Sequence, residues 1–381
     1  MLRSTRNLFS LIFALFALQL LAPGNSFAGQ AQAEPPAGSD SKAVFEWLSF
    51  PDSTKFKVLG LHWFEANQPK LWRLPVTAFQ TLPKGVQNGC RYPAGGRILL
   101  KCDSTSLGVS LVCSNAGSLR FLDVYVDGKY HGSAGAKGAG AAAEVVLFQG
   151  VEKKEHEIMI YLPNRQEIVI RAIGVDKGTK FGKPEHTFAA PLPIVYYGSS
   201  VCQGHGAQHA GMSYEAILAR ELNLDFVNLG FGGAGKAEEV VVKLVNAIPA
   251  CCYVFDLGKS YGAQDMTPFK LMLEAIRKAH PDTPMLCLTP ITSAREVKDE
   301  SYSKRSIHDR TVMREAVEAF VKDGGRNVQL VQGEDLLGFK DHAGLSKDGV
   351  HPQDEGYALI ASRLSPLIRK ALNLKEGAAA R

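Results

Sequence analysis

Three residues of this chain have the chemistry of an acyl-transfer centre if folding brings them together. Ser200 stands in "IVYYGSSVCQGHG", where a short apolar run, residues 194–197, stops at Gly198 and gives way to polar and glycine-rich residues. A serine hydroxyl is a weak nucleophile. It needs a base within hydrogen-bond reach and a third group to orient that base. Both are present in "SKDGVHPQDEGY", where Asp348 and His351 lie three residues apart on a stretch of loop character. Asp348 could accept from one ring nitrogen of His351 while the other ring nitrogen faces Ser200. Alone, that stretch reads more readily as a solvated turn with an incidental histidine.

Acyl transfer also requires donors aimed at the developing oxyanion. "NLGFGGAG", residues 228–235, offers glycines whose main chain can approach a ligand with no side chain in the way. Gly233 is the candidate donor, and the N–H of Ser200 is a second. "GKSYGAQ", residues 258–264, offers Ser260 as a third, against its ordinary use as a helix cap or loop residue.

The elements that must position these groups divide the chain in two. Between about 45 and 184, short β-like runs such as "RILLKC", "VSLVC", "EVVLF" and "HEIMIYL" are separated by Gly, Asn, Asp and Lys, which predicts a β-sandwich. Asp127-Gly128 between two runs is a hairpin signal. From about Leu192, strand-like runs alternate with helix-length segments. Five such runs predict a parallel sheet covered by helices on both faces. Ligands of such sheets collect beyond the carboxyl ends of the strands. Ser200 follows the first run and the Asp348–His351 stretch follows the fifth, so both should open on one edge.

Taken together these residues resemble the GDSL or SGNH hydrolase superfamily. "GSSVCQG" is similar to its first block, "NLGFGG" to the second and "DGVHP" to the last. The likeness covers roughly residues 192–373. "DVYVDG", "EHEIMIYLPNRQEIVIRAIGV" and "GMSYEAILAREL" resemble exported bacterial members with an amino-terminal β-sandwich, an architecture similar to carbohydrate esterase family 2. The resemblance implies a flavodoxin-like three-layer α/β/α domain over 189–374 with a five-stranded parallel sheet. An all-β, jelly-roll-like sandwich over 44–188 would precede it, and a tail, 375–381, would follow. It implies a Ser200–His351–Asp348 triad, an oxyanion hole of Ser200, Gly233 and Ser260, and no metal or cofactor. The third block departs from the family, reading Gly258-Lys259-Ser260 where Gly-x-Asn is usual. A serine hydroxyl stops roughly 1.5 Å short of an asparagine amide nitrogen. A lost oxyanion donor costs on the order of 10²- to 10³-fold in rate.

Composition is that of a folded globular chain: 381 residues, 45% hydrophobic, 21% charged, net charge +5. No run of five or more Lys/Arg occurs, which argues against nucleic acid or a polybasic membrane patch. Residues 1–28 read as a secretory signal peptide: Arg3 and Arg6, an apolar run from Leu8 to Leu21, and small residues near Ala28. About 14 apolar residues are too few for a span of roughly 20, so no membrane span is expected in the mature protein. Residues 29–43 read as a linker. Export permits disulfides among the seven cysteines, with a bridge among Cys90, Cys102 and Cys113 left open.

The expected function is that of a secreted serine esterase acting on an acylated small molecule or glycan, with acetyl as the suggested acyl group. The alternatives are an impaired, glycan-binding relative, with Trp63, Phe64 and Trp72 as candidate sugar-stacking aromatics, and a lipid esterase or thioesterase. His205, His209 and His308 are candidates for the pocket mouth. Arg295, Lys304 and Arg305, in a polar connection before a helix, are candidate substrate contacts. "AGAKGAGAAAE", residues 134–144, lacks the ending of a phosphate loop and reads as a hairpin loop.

Overall fold

The computed structural model describes residues 44–113, 122–135, 142–262 and 265–375. The expected signal peptide and linker lie outside them, as do all but the first residue of the tail and the centre of the glycine-rich stretch at 134–144.

The second half follows the alternation of its sequence. In chain order it contains β1 (Ile194–Gly198), α1 (Tyr214–Leu222), β2 (Phe226–Gly230), α2 (Glu239–Asn246), β3 (Cys252–Asp256) and α3 (Thr267–Ala279). Then come β4 (Met285–Leu288), α4 (Glu300–Lys322), β5 (Val328–Val331) and α5 (Asp354–Ala371). The strands form one parallel sheet in the order β2-β1-β3-β4-β5. Every residue of β1, β2 and β3 is buried, as expected of strands covered on both faces. Val195, Tyr197, Leu229 and Phe255 pack with residues of α2, α3 and α4. Ile194, Tyr196 and Val254 pack with residues of α1 and α5. The three layers and the strand order are flavodoxin-like. The order reverses between β1 and β3, which is where a crevice opens in this class of sheet. Ser200 lies two residues beyond the end of β1.

The first half contains two antiparallel sheets. One joins Glu46–Ser49, Ile168–Val175, Ser106–Cys113 and Ala142–Gln149. The other is built on Arg97–Cys102, His156–Tyr161, Leu122–Val126 and Lys129–Ala134, with Lys57–Leu59 and Phe181–Gly182 beside Arg97–Cys102. Leu100 and Ile158 of the second sheet share one core with Leu107 and Ile170 of the first. Asp127 and Gly128 both take positive φ, 49° and 75°, which is the turn expected between two paired strands.

Several details depart from expectation. Residues 64–89 form short helical turns rather than strands, because Pro69, Pro75 and Pro83 remove backbone donors and fix φ. Trp72 and Phe64 are buried in cores, and Trp63 is half-buried against one, so these rings do not form an exposed sugar platform. The Trp72 indole N–H donates to Glu167 at 2.8 Å. All seven cysteines are free thiols, and no bridge joins Cys90, Cys102 and Cys113. Cys90 packs in the α/β core, whereas Cys102 and Cys113 pack between the two sheets. The polar connection expected before a helix is itself mostly helix. α4 begins at Glu300, where the Asp299 carboxylate accepts from the Tyr302 N–H at 2.9 Å and caps the first turn.

Candidate active site

The chain leaves β1 and turns at once. Ser199 N–H donates to Asp256 O on β3 at 2.9 Å. Gln203, Gly204 and His205 N–H groups return to Ser199, Val201 and Ser200 carbonyls at 3.0, 2.9 and 2.9 Å. Ser200 sits half-buried at the head of this single turn. The Tyr357 hydroxyl of α5 contacts Val201 O at 3.0 Å and His205 O at 2.7 Å, bracing the turn from below.

The segment before α5 folds into a second tight turn. Ser346 N–H donates to His351 O at 2.7 Å, and Gly349 N–H to Ser346 O at 2.9 Å. One carboxylate oxygen of Asp348 accepts from the Ser346 hydroxyl and from the Val350 and His351 N–H groups, at 2.9, 2.8 and 3.0 Å. The other lies 2.6 Å from His351 Nδ1. His351 Nε2 lies 2.9 Å from Ser200 Oγ, across 151 residues of sequence. Gly206 makes this meeting possible. It has φ of 92°, and a Cβ there would collide with Pro352 O and crowd His351 Cβ.

These contacts set the charge of Asp348. Burial pushes its pKa up, but the His351 ring, the two backbone N–H groups and the Ser346 hydroxyl outweigh that and hold it well below the usual carboxylate range. An ionised acceptor at Nδ1 fixes the neutral ring with its proton there and its Nε2 lone pair toward Ser200 Oγ.

The glycine block after β2 folds back over the end of β1. Phe231 N–H donates to Gly198 O at 2.8 Å. Gly233 has φ of 72°, and apart from its chain neighbours nothing lies within 4 Å of where its Cβ would stand. Ser260 is half-buried in the short 3-10 turn Gly258–Ser260 after β3. Gly258, in the same turn, borders Ser199: a Cβ at Gly258 would stand 2.5 Å from Ser199 Oγ.

Three residues that support this loop carried no signal in the sequence. Gln203, 1% exposed, accepts from Gly232 N–H at 2.6 Å and donates to Asn164 O at 2.9 Å. Asn228 donates to Cys202 O at 2.6 Å and accepts from Gly230 N–H at 2.9 Å. Arg73, from the other half of the chain, donates to Asn228 O at 3.0 Å and Gly230 O at 2.6 Å. Gln203 at least stands inside the first block, but Arg73 is 155 residues before its partner.

Of the other sequence candidates, His205 lies nearest. Its ring centroid is 5.3 Å from that of His351, and its imidazole packs on Gly232. His209 contacts Ser133 Oγ and Asp123 where the two halves meet. His308 is exposed on α4 rather than in a loop. The Arg295 and Arg305 guanidinium groups lie over the Tyr302 ring, and Lys304 pairs with Glu300 at 2.7 Å.

The GDSL-like lipase/acylhydrolase family matches residues 192–369, and the N-terminal segment of SGNH-hydrolase-type esterases matches residues 45–181. No curated protein matches the chain in sequence. Among solved structures, a GDSL-like lipase-type protein of Bacteroides ovatus is 23% identical, with 87% of this chain and 99% of that one covered and a TM-score of 0.75. The salicylyl-acyltransferase SsfX3 of a tetracycline biosynthetic pathway is 21% identical over 88% and 99%, with a TM-score of 0.71. A family two carbohydrate esterase of Clostridium thermocellum, in complex with cellohexaose, is 17% identical over 74% and 93%, with a TM-score of 0.58. At these identities the neighbours establish the fold. The two family matches carry the assignment: residues 192–369 are a GDSL-like lipase/acylhydrolase domain, preceded by the N-terminal segment of SGNH-hydrolase-type esterases, and the protein is a hydrolase of ester bonds.

Proposed function

We propose that the protein is an exported serine esterase that removes an acyl group, acetyl in the first place, from a carbohydrate. The observation that carries this reading is the unbroken chain from Asp348 through His351 to Ser200 Oγ, with contacts of 2.6 and 2.9 Å. In the first step Ser200 Oγ bonds to the ester carbonyl carbon, and its proton passes to His351 Nε2. The N–H groups of Ser200 and Gly233, with Ser260, receive the charge that gathers on the carbonyl oxygen. The tetrahedral intermediate then breaks its bond to the alcohol oxygen, which takes the proton from His351. Water repeats the sequence on the acyl-enzyme and releases the carboxylic acid. Asp348 holds the imidazole in its productive tautomer and stabilises the imidazolium.

A carbohydrate as the alcohol portion is supported by the cellohexaose-bound fold neighbour and by the sandwich that precedes the hydrolase half. Export rests on the character of residues 1–28. Among the described residues no helix is long and apolar enough to cross a membrane. The test is acetate release from acetylated xylan and p-nitrophenyl acetate at neutral pH. Wild type should turn over both, and Ser200→Ala should lose on the order of 10⁴-fold or more in kcat. Full activity in the variant rules the mechanism out. Tight glycan binding without turnover by wild type would favour the glycan-binding alternative.

A further inference from the structure

Beside the nucleophile lies a recess whose wall is apolar: Val201, Pro290, Ile291 and Val350 line it together with Ser200. Asp256, Ser199 and Gly258 complete its lining. The enclosed space is small and opens to solvent at its mouth. A sugar ring would lose the hydration of its hydroxyls against this wall without replacing it. A methyl group loses nothing.

We infer that this recess receives the acyl chain of the ester, and that Ile291, flanked by Pro290 and Val350, limits the chain to about the length of acetyl. The inference rests on Ser200 being the nucleophile.

The wall is built not to yield. Ile291 is 7% exposed. The buried Arg310 side chain donates to Pro290 O at 2.9 Å and to Ile291 O at 3.2 Å. The same guanidinium meets Glu296 through two contacts, at 2.8 and 3.0 Å, and Glu296 accepts from Ser293 N–H at 2.9 Å. Thr292 N–H donates to Leu337 O at 3.0 Å. Ala294 N–H donates to Gly349 O at 2.8 Å, tying this wall to the turn that carries Val350 and His351. A longer acyl chain would have to displace a segment whose backbone is anchored at both ends.

The experiment measures kcat/KM for p-nitrophenyl acetate, butyrate and hexanoate with wild type, Ile291→Ala and Ile291→Val. Wild type should prefer acetate. Ile291→Ala should raise the hexanoate-to-acetate ratio by about tenfold or more, the worth of one or two methylene groups in an apolar site. Ile291→Val should move it the same way by less. The ratio is internal to each preparation, so partial loss of folded protein cancels. Unchanged ratios in both variants, with acetate activity retained, would overturn the pocket and leave Ser200's role standing. No turnover of any ester by wild type, with no acyl adduct on Ser200 by mass spectrometry, would remove the esterase reading and the pocket with it.

Discussion

His351 becomes a base for Ser200 only if its proton resides on Nδ1, and Asp348 is the group that keeps it there. The carboxylate does two jobs with two oxygens. One closes the turn through three donors, and the other faces the ring. Asp348→Asn separates them, because an amide oxygen can still close the turn while an amide NH₂ cannot accept from Nδ1. The ring should then adopt the other tautomer and present N–H to Ser200 Oγ. We expect kcat to fall on the order of 10²- to 10⁴-fold while thermal stability changes by only a few degrees. Stopped-assay kinetics on p-nitrophenyl acetate, with a melting curve on the same sample, check both. Wild-type kcat in the variant would show that the carboxylate is dispensable. Because Asp348 is held far below the usual range, its own protonation lies outside ordinary assay pH.

At the level of elements, the site is a set of loops at the carboxyl ends of β1, β2 and β3, closed by the turn before α5. That much was legible in the sequence. "GSSVCQG" and "DGVHP" flank unmistakable strand and helix patterns, and parallel topology forces their ends to one edge. What was not legible is the support. Arg73, Asn164 and Gln203 act through tertiary hydrogen bonds that leave no spacing signature. Proline-punctuated helical turns at 64–89 were hidden among β-like runs. The start of α4 was lost because "TSAREVKDESYSKRS" is polar apart from Ala294, Val297 and Tyr302, and its cap, Asp299, is one of several candidates. Gln203 supplies a test at this scale. Gln203→Leu leaves the Gly232 N–H and the Asn164 carbonyl without their partner. The glycine loop should lose its fixed position, which on the proposed oxyanion role lowers kcat about tenfold or more with KM nearly constant, because donors to an oxyanion act on the transition state. A rise in KM at constant kcat would show instead that the loop binds substrate and does not hold the oxyanion.

Across the whole molecule, a buried polar layer beneath the site links the two halves. Arg73, 1% exposed, donates to Gly89 and Tyr92 carbonyls on its own side and to Asn228 and Gly230 on the other. Its guanidinium lies 4.6 Å from the Phe231 ring centre. Burial lowers its pKa to about 10, which still leaves it charged at neutral pH. Glu215, at the start of α1, is the opposite case. It is fully buried with Ser213 and Cys202 beside it, yet neither carboxylate oxygen makes a fully formed hydrogen bond. Burial, reinforced by the nearby Asp256 charge, raises its pKa from 4.5 to about 8. The folded state therefore keeps a proton that the unfolded chain releases above about pH 4.5. Between that pH and about 8 the unfolded state binds fewer protons, so stability must fall as pH rises, by up to about 1.4 kcal/mol per pH unit from this group. Above 8 the slope from Glu215 ends. Glu215→Gln replaces the carboxylic acid with a neutral group of the same shape and removes that slope. Urea unfolding at pH 5, 7 and 8.5 should show the variant close to wild type at pH 5 and more stable by several kcal/mol at pH 8.5. Parallel pH dependences for the two proteins would mean that Glu215 is ionised in the fold, and that the buried layer supplies it with a compensating partner.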